Sequence, residues 1–149
     1  MAKRLKGKVA LITGSSSGIG AGVAKAFARE GADVVLNYPN KAEEREIEDV
    51  RQAIEKAGRR AIIVKADVSV EAQVKRMVKV ALQEFGQIDI LVNNAGHADR
   101  GAPVQDMSVE MFDRMIGVHL RGTFLCTKYV LPQMYERDYG KIINVSTQF

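Results

Sequence analysis

The chain alternates between short, continuous apolar runs and longer stretches in which apolar residues recur every three or four positions. Five runs are short, apolar and bounded by turn residues: Val9–Ile12, Asp33–Tyr38, Ala61–Lys65, Ile88–Val92 and Lys141–Val145. Runs of this length are typical of β-strands, and unbroken apolar character is typical of parallel strands covered on both faces. We therefore predict five parallel strands.

The intervening stretches have helical periodicity. The predicted apolar faces are Ile19, Val23, Ala26 and Phe27 in the first helix, Ile47, Val50, Ile54 and Ala57 in the second, and Val74, Met77, Val78, Ala81, Leu82 and Phe85 in the third. Gly31, Gly58 and Gly86 are suited to end these helices, because glycine readily takes the left-handed conformation found there.

A last helical region runs from a predicted N-cap at Ser108 toward Arg137. Gly117, Gly122 and Pro132 favour a break or bend within it.

This alternation predicts an α/β fold: one Rossmann-like, doubly wound parallel sheet over residues 1–149, ordered 3-2-1-4-5. Ligands of such sheets bind beyond the carboxyl ends of the strands, near the switch point between strands 1 and 4. The segments that follow strand ends are Thr13–Gly20, Tyr38, Asp67, Asn93–Gly96 and Ser146–Thr147. We expect them to converge on one crevice.

Composition narrows the class of protein. The chain has 149 residues, 46% apolar and 27% charged, which is ordinary for a soluble globular domain. Its net charge of +4 is spread along the chain, without an aromatic-interleaved basic patch, zinc-ligand spacing or a transmembrane run. The single Cys126 fits a reducing cytoplasm and a packed apolar role. We expect a cytoplasmic protein that binds no nucleic acid, membrane or metal.

The segment Thr13–Gly20 carries the clearest chemistry. It follows the first strand and opens the first helix, which is the context in which a glycine-rich turn binds phosphate. Gly14 allows the tight turn, Gly18 leaves room for a pyrophosphate, and Gly20 lets the first helix pack closely on the first strand. The N–H groups of the first helical turn would then point at the anion.

Three motifs together resemble the short-chain dehydrogenase/reductase family: the TGxxxGxG turn, Asp67-Val68 after the third strand, and Asn93–Gly96 after the fourth. The resemblance implies a nicotinamide cofactor and hydride transfer to or from a ketone or secondary alcohol. Acyl-carrier-protein ketoreductases and sugar dehydrogenases are the nearest substrate types it suggests. It also implies a homo-oligomer, a dimer or tetramer, in the full-length form.

The resemblance assigns cofactor contacts residue by residue. It places the pyrophosphate on Gly14, Ser16, Ser17, Gly18, Ile19 and Gly20, the adenine on Asp67 and Val68, and the ribose along Asn94, Ala95 and Gly96. Other interpretations stay open. Asp67 is also suited to cap the helix beginning near Ser69, Asn93-Asn94 to be an ordinary turn pair, and Ser15–Ser17 to be a plain loop.

The end of the second strand bears on cofactor choice. Enzymes that prefer NAD usually carry a carboxylate there for the ribose 2′-hydroxyl. Asn37, Tyr38 and the residues up to Lys41 include none, and Lys41 is within reach of a 2′-phosphate. The sequence thus favours NADP(H), with NAD(H) as the alternative. Ser17, where several NADP-preferring relatives carry Arg, weakens that preference.

The catalytic segment departs from the family. His119 stands where the resemblance expects the catalytic Asn, and Thr147 stands at the catalytic hydroxyl position, with Ser146 as its fallback. None of the four tyrosines is followed four residues later by lysine, so the family's YxxxK pair is absent from these 149 residues. His119 is also suited to be a helix-break residue, and the two hydroxyls to cap a strand end.

Two hypotheses follow. The first is the N-terminal part of a longer reductase, inactive alone and truncated after the fifth strand. The second is a non-catalytic nucleotide-binding module. We favour the first, because the fifth strand would form an apolar edge that a purpose-built module should protect.

Overall fold

A computed structural model describes residues 3–97 and 102–146 of the chain. Its five parallel strands are β1 Val9–Ile12, β2 Asp33–Tyr38, β3 Ala61–Lys65, β4 Ile90–Asn93 and β5 Lys141–Asn144. The sheet order is β3-β2-β1-β4-β5, which confirms the predicted topology. The order reverses at β1, so a crevice lies at the carboxyl ends of β1 and β4.

The helices are α1 Gly18–Arg29, α2 Glu44–Lys56, α3 Glu71–Phe85, α4 Val109–Met115 and α5 Gly122–Glu136. Short 3-10 helices occupy Lys41–Glu43 and Val104–Asp106. Side chains of β1 alternate between the two faces of the sheet: Ala10 and Ile12 pack with α1 and α2, whereas Val9 and Leu11 pack with α3 and α5. This gives three layers, with a buried sheet between two helical layers. None of the helices in the described ranges is long and apolar enough to cross a bilayer.

The predicted face of α1 is wrong in one respect. Ile19 is 65% exposed, and the buried residues of the helix are Gly20, Ala21, Ala24 and Ala28. Small side chains let the helix axis approach the sheet closely, so the larger apolar side chains lie at the margin of the contact. Because hydrophobic periodicity gives more weight to large residues, the predicted apolar face was rotated about the helix axis away from the face that is actually buried.

Three further details concern two strand boundaries and the last helical region. The strand predicted from Ile88 begins at Ile90, because the side chain of Gln133 takes both backbone groups of Ile88, accepting from its N–H at 3.3 Å and donating to its carbonyl at 2.9 Å. The break predicted in the last helical region is a π-helical segment, Ile116–Arg121, between α4 and α5. Strand β5 ends at Asn144, one residue earlier than predicted.

Candidate functional site

The turn after β1 is built around glycine. Gly14 has φ +59°, a conformation that favours glycine, and a Cβ there would lie 2.8 Å from the Cα of Ala95. A Cβ on Gly20 would collide with the Gly14 carbonyl oxygen and the Asn94 amide. The turn and the segment after β4 are thus in direct backbone contact, and no larger residue fits between them.

Asn94 and Thr13 fasten the two segments together. The Asn94 side-chain amide donates to the carbonyl oxygens of Thr13 at 3.0 Å and Gly14 at 2.9 Å. The Thr13 hydroxyl oxygen accepts from the N–H groups of Asn94 at 3.0 Å and Ala95 at 2.9 Å. Thr13 was not among the predicted site residues, although a hydroxyl between a buried strand and a glycine turn was visible in the sequence.

Asn37 holds the same turn from the β2 side. Its side-chain oxygen accepts from the Gly14 N–H at 3.1 Å, and both of its amide hydrogens go to the carbonyls of Val64 and Ala66. Every polar atom of the Asn37 amide is therefore engaged within the protein.

Tyr38 points away from this turn. Its side chain is buried among residues of α1 and α2, and its hydroxyl lies 3.5 Å from a carboxylate oxygen of Glu44. Burial, reinforced by that carboxylate, raises the pKa of Tyr38 above its ordinary value. Tyr38 and Lys41 line an open cavity of about 550 Å³ beside α2.

The start of α1 is arranged for an anion. Ser17 is its extended N-cap residue, but the Ser17 hydroxyl makes no capping hydrogen bond, and the first turn carries no acidic residue. By contrast, Asn40 and Ser108 both cap the helices that follow them. A Cβ on Gly18 would meet no atom within 4 Å. Open N–H groups, the positive end of the helix dipole and free space above the backbone suit a phosphate.

Asp67 closes a turn onto Ser69 in the loop before α3 and has a second partner; it does not cap the helix, which begins at Glu71 after Val70. Its Oδ1 accepts from the Ser69 N–H at 2.9 Å and hydroxyl at 2.6 Å, while Oδ2 accepts from Arg114 at 2.7 Å. Burial alone would raise the pKa of Asp67, but the bonds from Ser69 and Arg114 outweigh it and hold the pKa below its usual range. Sequence reasoning did not find Arg114, which is 47 residues away.

Val68 is a packing residue in this structure. It is 5% exposed, and its Cβ would lie 3.1 Å from a Cβ placed on Gly122. Gly122 therefore allows α5 to approach the end of β3 closely.

His119 lies in the π-helical segment, beside the segment that follows β4. Its Nε2 accepts from the His97 N–H at 3.2 Å, and its Cε1 would lie 2.9 Å from a Cβ on Gly96. The Thr123 hydroxyl donates to the His119 carbonyl at 2.7 Å, satisfying a backbone group at the wide turn. The imidazole is thus held against Gly96, at the predicted ribose end of the crevice.

The predicted hydroxyl residues follow β5. Val145 donates to the Asn93 carbonyl at 3.0 Å, which keeps the chain beside β4 up to Ser146. Ser146 is exposed, and Thr147 lies outside the described residues.

Cys126 is 1% exposed, and burial raises the pKa of its thiol to about 12, as suits a packed side chain.

A carboxylate that the sequence analysis did not consider touches the turn. Glu43, at the end of the 3-10 helix after β2, accepts from the Ser16 hydroxyl. Of the predicted contacts, the structure thus brings Gly14, Gly20, Asn94 and Ala95 into direct contact, with Ser16 bonded to Glu43 and with Gly18 and Ile19 exposed.

The fold is that of the Rossmann-like α/β proteins. Residues 8–149 match the short chain dehydrogenase family, and the chain belongs to that family. It is 46% identical over 97% of its length to an uncharacterized oxidoreductase of Bacillus subtilis, of which it covers 51%. It is 41% identical over 96% of its length to a D-beta-hydroxybutyrate dehydrogenase of Cupriavidus necator, of which it covers 54%. Glucose 1-dehydrogenase 2 of Bacillus subtilis is 38% identical over 99% of the chain, which covers 57% of it.

Solved structures agree. NAD+-bound xylitol dehydrogenase superposes with a TM-score of 0.91 at 34% identity, over 97% of this chain and 55% of that one. A metagenomic short-chain oxidoreductase in complex with NADP superposes with a TM-score of 0.90 at 33% identity, over 97% of this chain and 64% of that one. The chain spans about half the length of the curated relatives it matches.

Proposed function

We propose that this chain is the cofactor-binding part of an NAD(P)(H)-dependent oxidoreductase acting on a ketone or secondary alcohol. The observation that carries the proposal is the uncapped start of α1, which opens onto a glycine turn fixed by Asn94. Such a cradle matches a pyrophosphate in charge, hydrogen bonding and space. The relatives include dehydrogenases named for hydroxybutyrate, glucose and xylitol, and these names support an alcohol or ketone substrate.

Within that function, the chain's own residues would bind and orient. The first turn of α1 and Gly18 would hold the pyrophosphate, Asp67 would face the adenine, and Gly96 would lie along a ribose. The bound nicotinamide supplies the hydride chemistry.

The catalytic assignments are Ser146 or Thr147 for orienting the substrate oxygen and His119 for holding a relay water. The Nε2 atom of His119 lies 3.2 Å from the His97 N–H and 3.4 Å from the His97 carbonyl oxygen, contacts that hold the imidazole beside Gly96. Its neighbour Gly96 leaves room for the ring in that position.

The 149 residues contain no YxxxK pair, so we expect them to bind dinucleotide and to turn over nothing alone. Fluorescence titration with NADH and NADPH tests binding. A rise in absorbance at 340 nm with hydroxybutyrate, glucose or xylitol and NAD+ or NADP+ would reveal turnover, and we expect none. The absence of saturable binding of either dinucleotide would contradict the proposed function. Turnover by the isolated chain would contradict only the expectation that it is inactive, and not the proposed function. We also propose that the full-length protein forms a homo-oligomer, either a dimer or a tetramer. Size-exclusion chromatography tests this.

A further inference from the structure

Glu43 places a carboxylate in the glycine turn from an unexpected direction. Its Oε2 accepts from the Ser16 hydroxyl at 2.5 Å, and its Oε1 accepts from the Asn40 amide at 3.4 Å. Ser16 is 5% exposed, so the carboxylate leans inward over the turn instead of extending into solvent. Asn40 also caps the 3-10 helix that carries Glu43, which fixes the backbone from which the side chain reaches.

The charge of Glu43 is not neutralised by a neighbouring cation. Within residues 3–97 and 102–146, Glu43 takes part in none of the ion pairs. Lys41, on the same helical turn, is exposed and lines the open cavity with Arg45 and three carboxylates. The negative charge at Ser16 is therefore available to a ligand.

We propose that Glu43 is a specificity-determining residue that favours NAD(H) over NADP(H). The inference rests on the proposed function and concerns the adenosine end of the same site. The adenosine ribose of a dinucleotide lies beside the turn after β1, near the end of β2, where a carboxylate can accept from the 2′-hydroxyl. Glu43 supplies this group from the next helical turn, reaching back to Ser16.

The two cofactors differ at that point only. A 2′-hydroxyl can donate to the Glu43 carboxylate, whereas a 2′-phosphate brings a second anion against it and has no proton to share at neutral pH. Accommodating the phosphate requires Glu43 to leave Ser16. A built-in repulsive group of this kind gives specificity by weakening the wrong ligand.

This reverses the cofactor preference favoured by the sequence alone. The strand end at Asn37 and Tyr38 has no carboxylate, and that absence was the basis for expecting NADP(H). Asn37 is instead engaged by Gly14, Val64 and Ala66, and the carboxylate arrives from five residues beyond Tyr38.

The test is a titration of the chain and of Glu43→Gln with NADH and NADPH, with Glu43→Ala as a second variant. Glu46→Gln is the matched control, since Glu46 is an exposed carboxylate of the same segment. We expect the wild type to bind NADH roughly tenfold more tightly than NADPH, and Glu43→Gln to bring the two affinities within about twofold. Glu46→Gln should keep the wild-type ratio.

The outcomes separate the two proposals. If neither dinucleotide binds the wild type, the proposed function fails. If both bind, the assignment of Glu43 is overturned by tighter wild-type binding of NADPH, by an unchanged ratio in both Glu43 variants, or by an equal change in Glu46→Gln. Thermal unfolding of each variant identifies one that does not fold, in which case the other Glu43 variant decides.

Discussion

The side-chain amide of Asn94 lies 2.9 Å from the carbonyl oxygen of Gly14, and so joins the end of β4 to the turn after β1. Asn94→Ala leaves the carbonyl oxygens of Thr13 and Gly14 without that donor. We expect it to lower the free energy of unfolding by about 2 kcal/mol, because partly buried acceptors lose their hydrogen bonds. Urea denaturation measures the loss. Asn40→Ala, which removes an exposed cap, should cost about 1 kcal/mol or less, and equal losses would contradict the assignment.

Gly14 should tolerate no side chain. In Gly14→Val the Cβ meets Ala95 at 2.8 Å, and the φ of +59° is strained for valine. We expect dinucleotide binding to be lost, as measured by fluorescence titration, with a lower melting temperature. Gly22→Ala is the matched control in α1, where a Cβ meets nothing within 4 Å, and it should bind normally and gain about 0.5–1 kcal/mol in helix stability. Full binding by Gly14→Val would refute the turn assignment.

Asp67 gives the stability a specific pH dependence. Its folded-state pKa lies below the ordinary value, so its contribution to folding is complete above about pH 4 and is lost as the pH falls through the lowered pKa. The difference in urea midpoint between wild type and Asp67→Asn should therefore shrink between pH 6 and pH 3. Asp49→Asn, an exposed site on α2, should show no such shrinkage. A constant difference at Asp67 would show that Ser69 and Arg114 do not favour its ionised form.

An ion pair between a buried carboxylate and a partly exposed arginine lies at the opposite end of the sheet. Asp89 is fully buried, accepts from the Val9 N–H at 2.8 Å and pairs with Arg137 at 2.6 Å. Arg137→Met leaves the carboxylate without its cation, which should cost about 3 kcal/mol in urea denaturation. Arg4→Met removes an exposed partner of Glu30 and should cost much less, because solvent screens that pair. Similar losses from the two variants would mean that burial of Asp89 does not determine how much its ion pair contributes to the free energy of unfolding.

Much of the fold was predictable because the sheet is covered on both faces. Continuous apolar runs located β1, β2 and β3 without error, and the sheet order followed from the alternation of strands and helices. Prediction was weaker where packing depends on small residues. Ile19 was assigned to the core, but alanines and glycine make the close contact of α1, and their apolar signal is faint.

The candidate site shows the same limit in its long-range contacts. Gly14 and Asn94 carry local motif signals, so the sequence placed them correctly in one crevice. Arg114 and Glu43 have no local signal, because their significance comes from partners at Asp67 and Ser16 that only the folded backbone brings near. The identity of a side chain does not reveal a partner across the sheet.

The Thr13 hydroxyl accepts from two amides of the segment after β4, and it also donates to the Val92 carbonyl within β4 at 3.3 Å. One oxygen therefore belongs to the sheet and to the ligand cradle at once. Binding and folding are consequently linked equilibria in this chain: a dinucleotide at a hundred times its dissociation constant should add about 2.7 kcal/mol to stability. The rise in melting temperature caused by each nucleotide at a fixed concentration should therefore rank the affinities of the chain for these nucleotides.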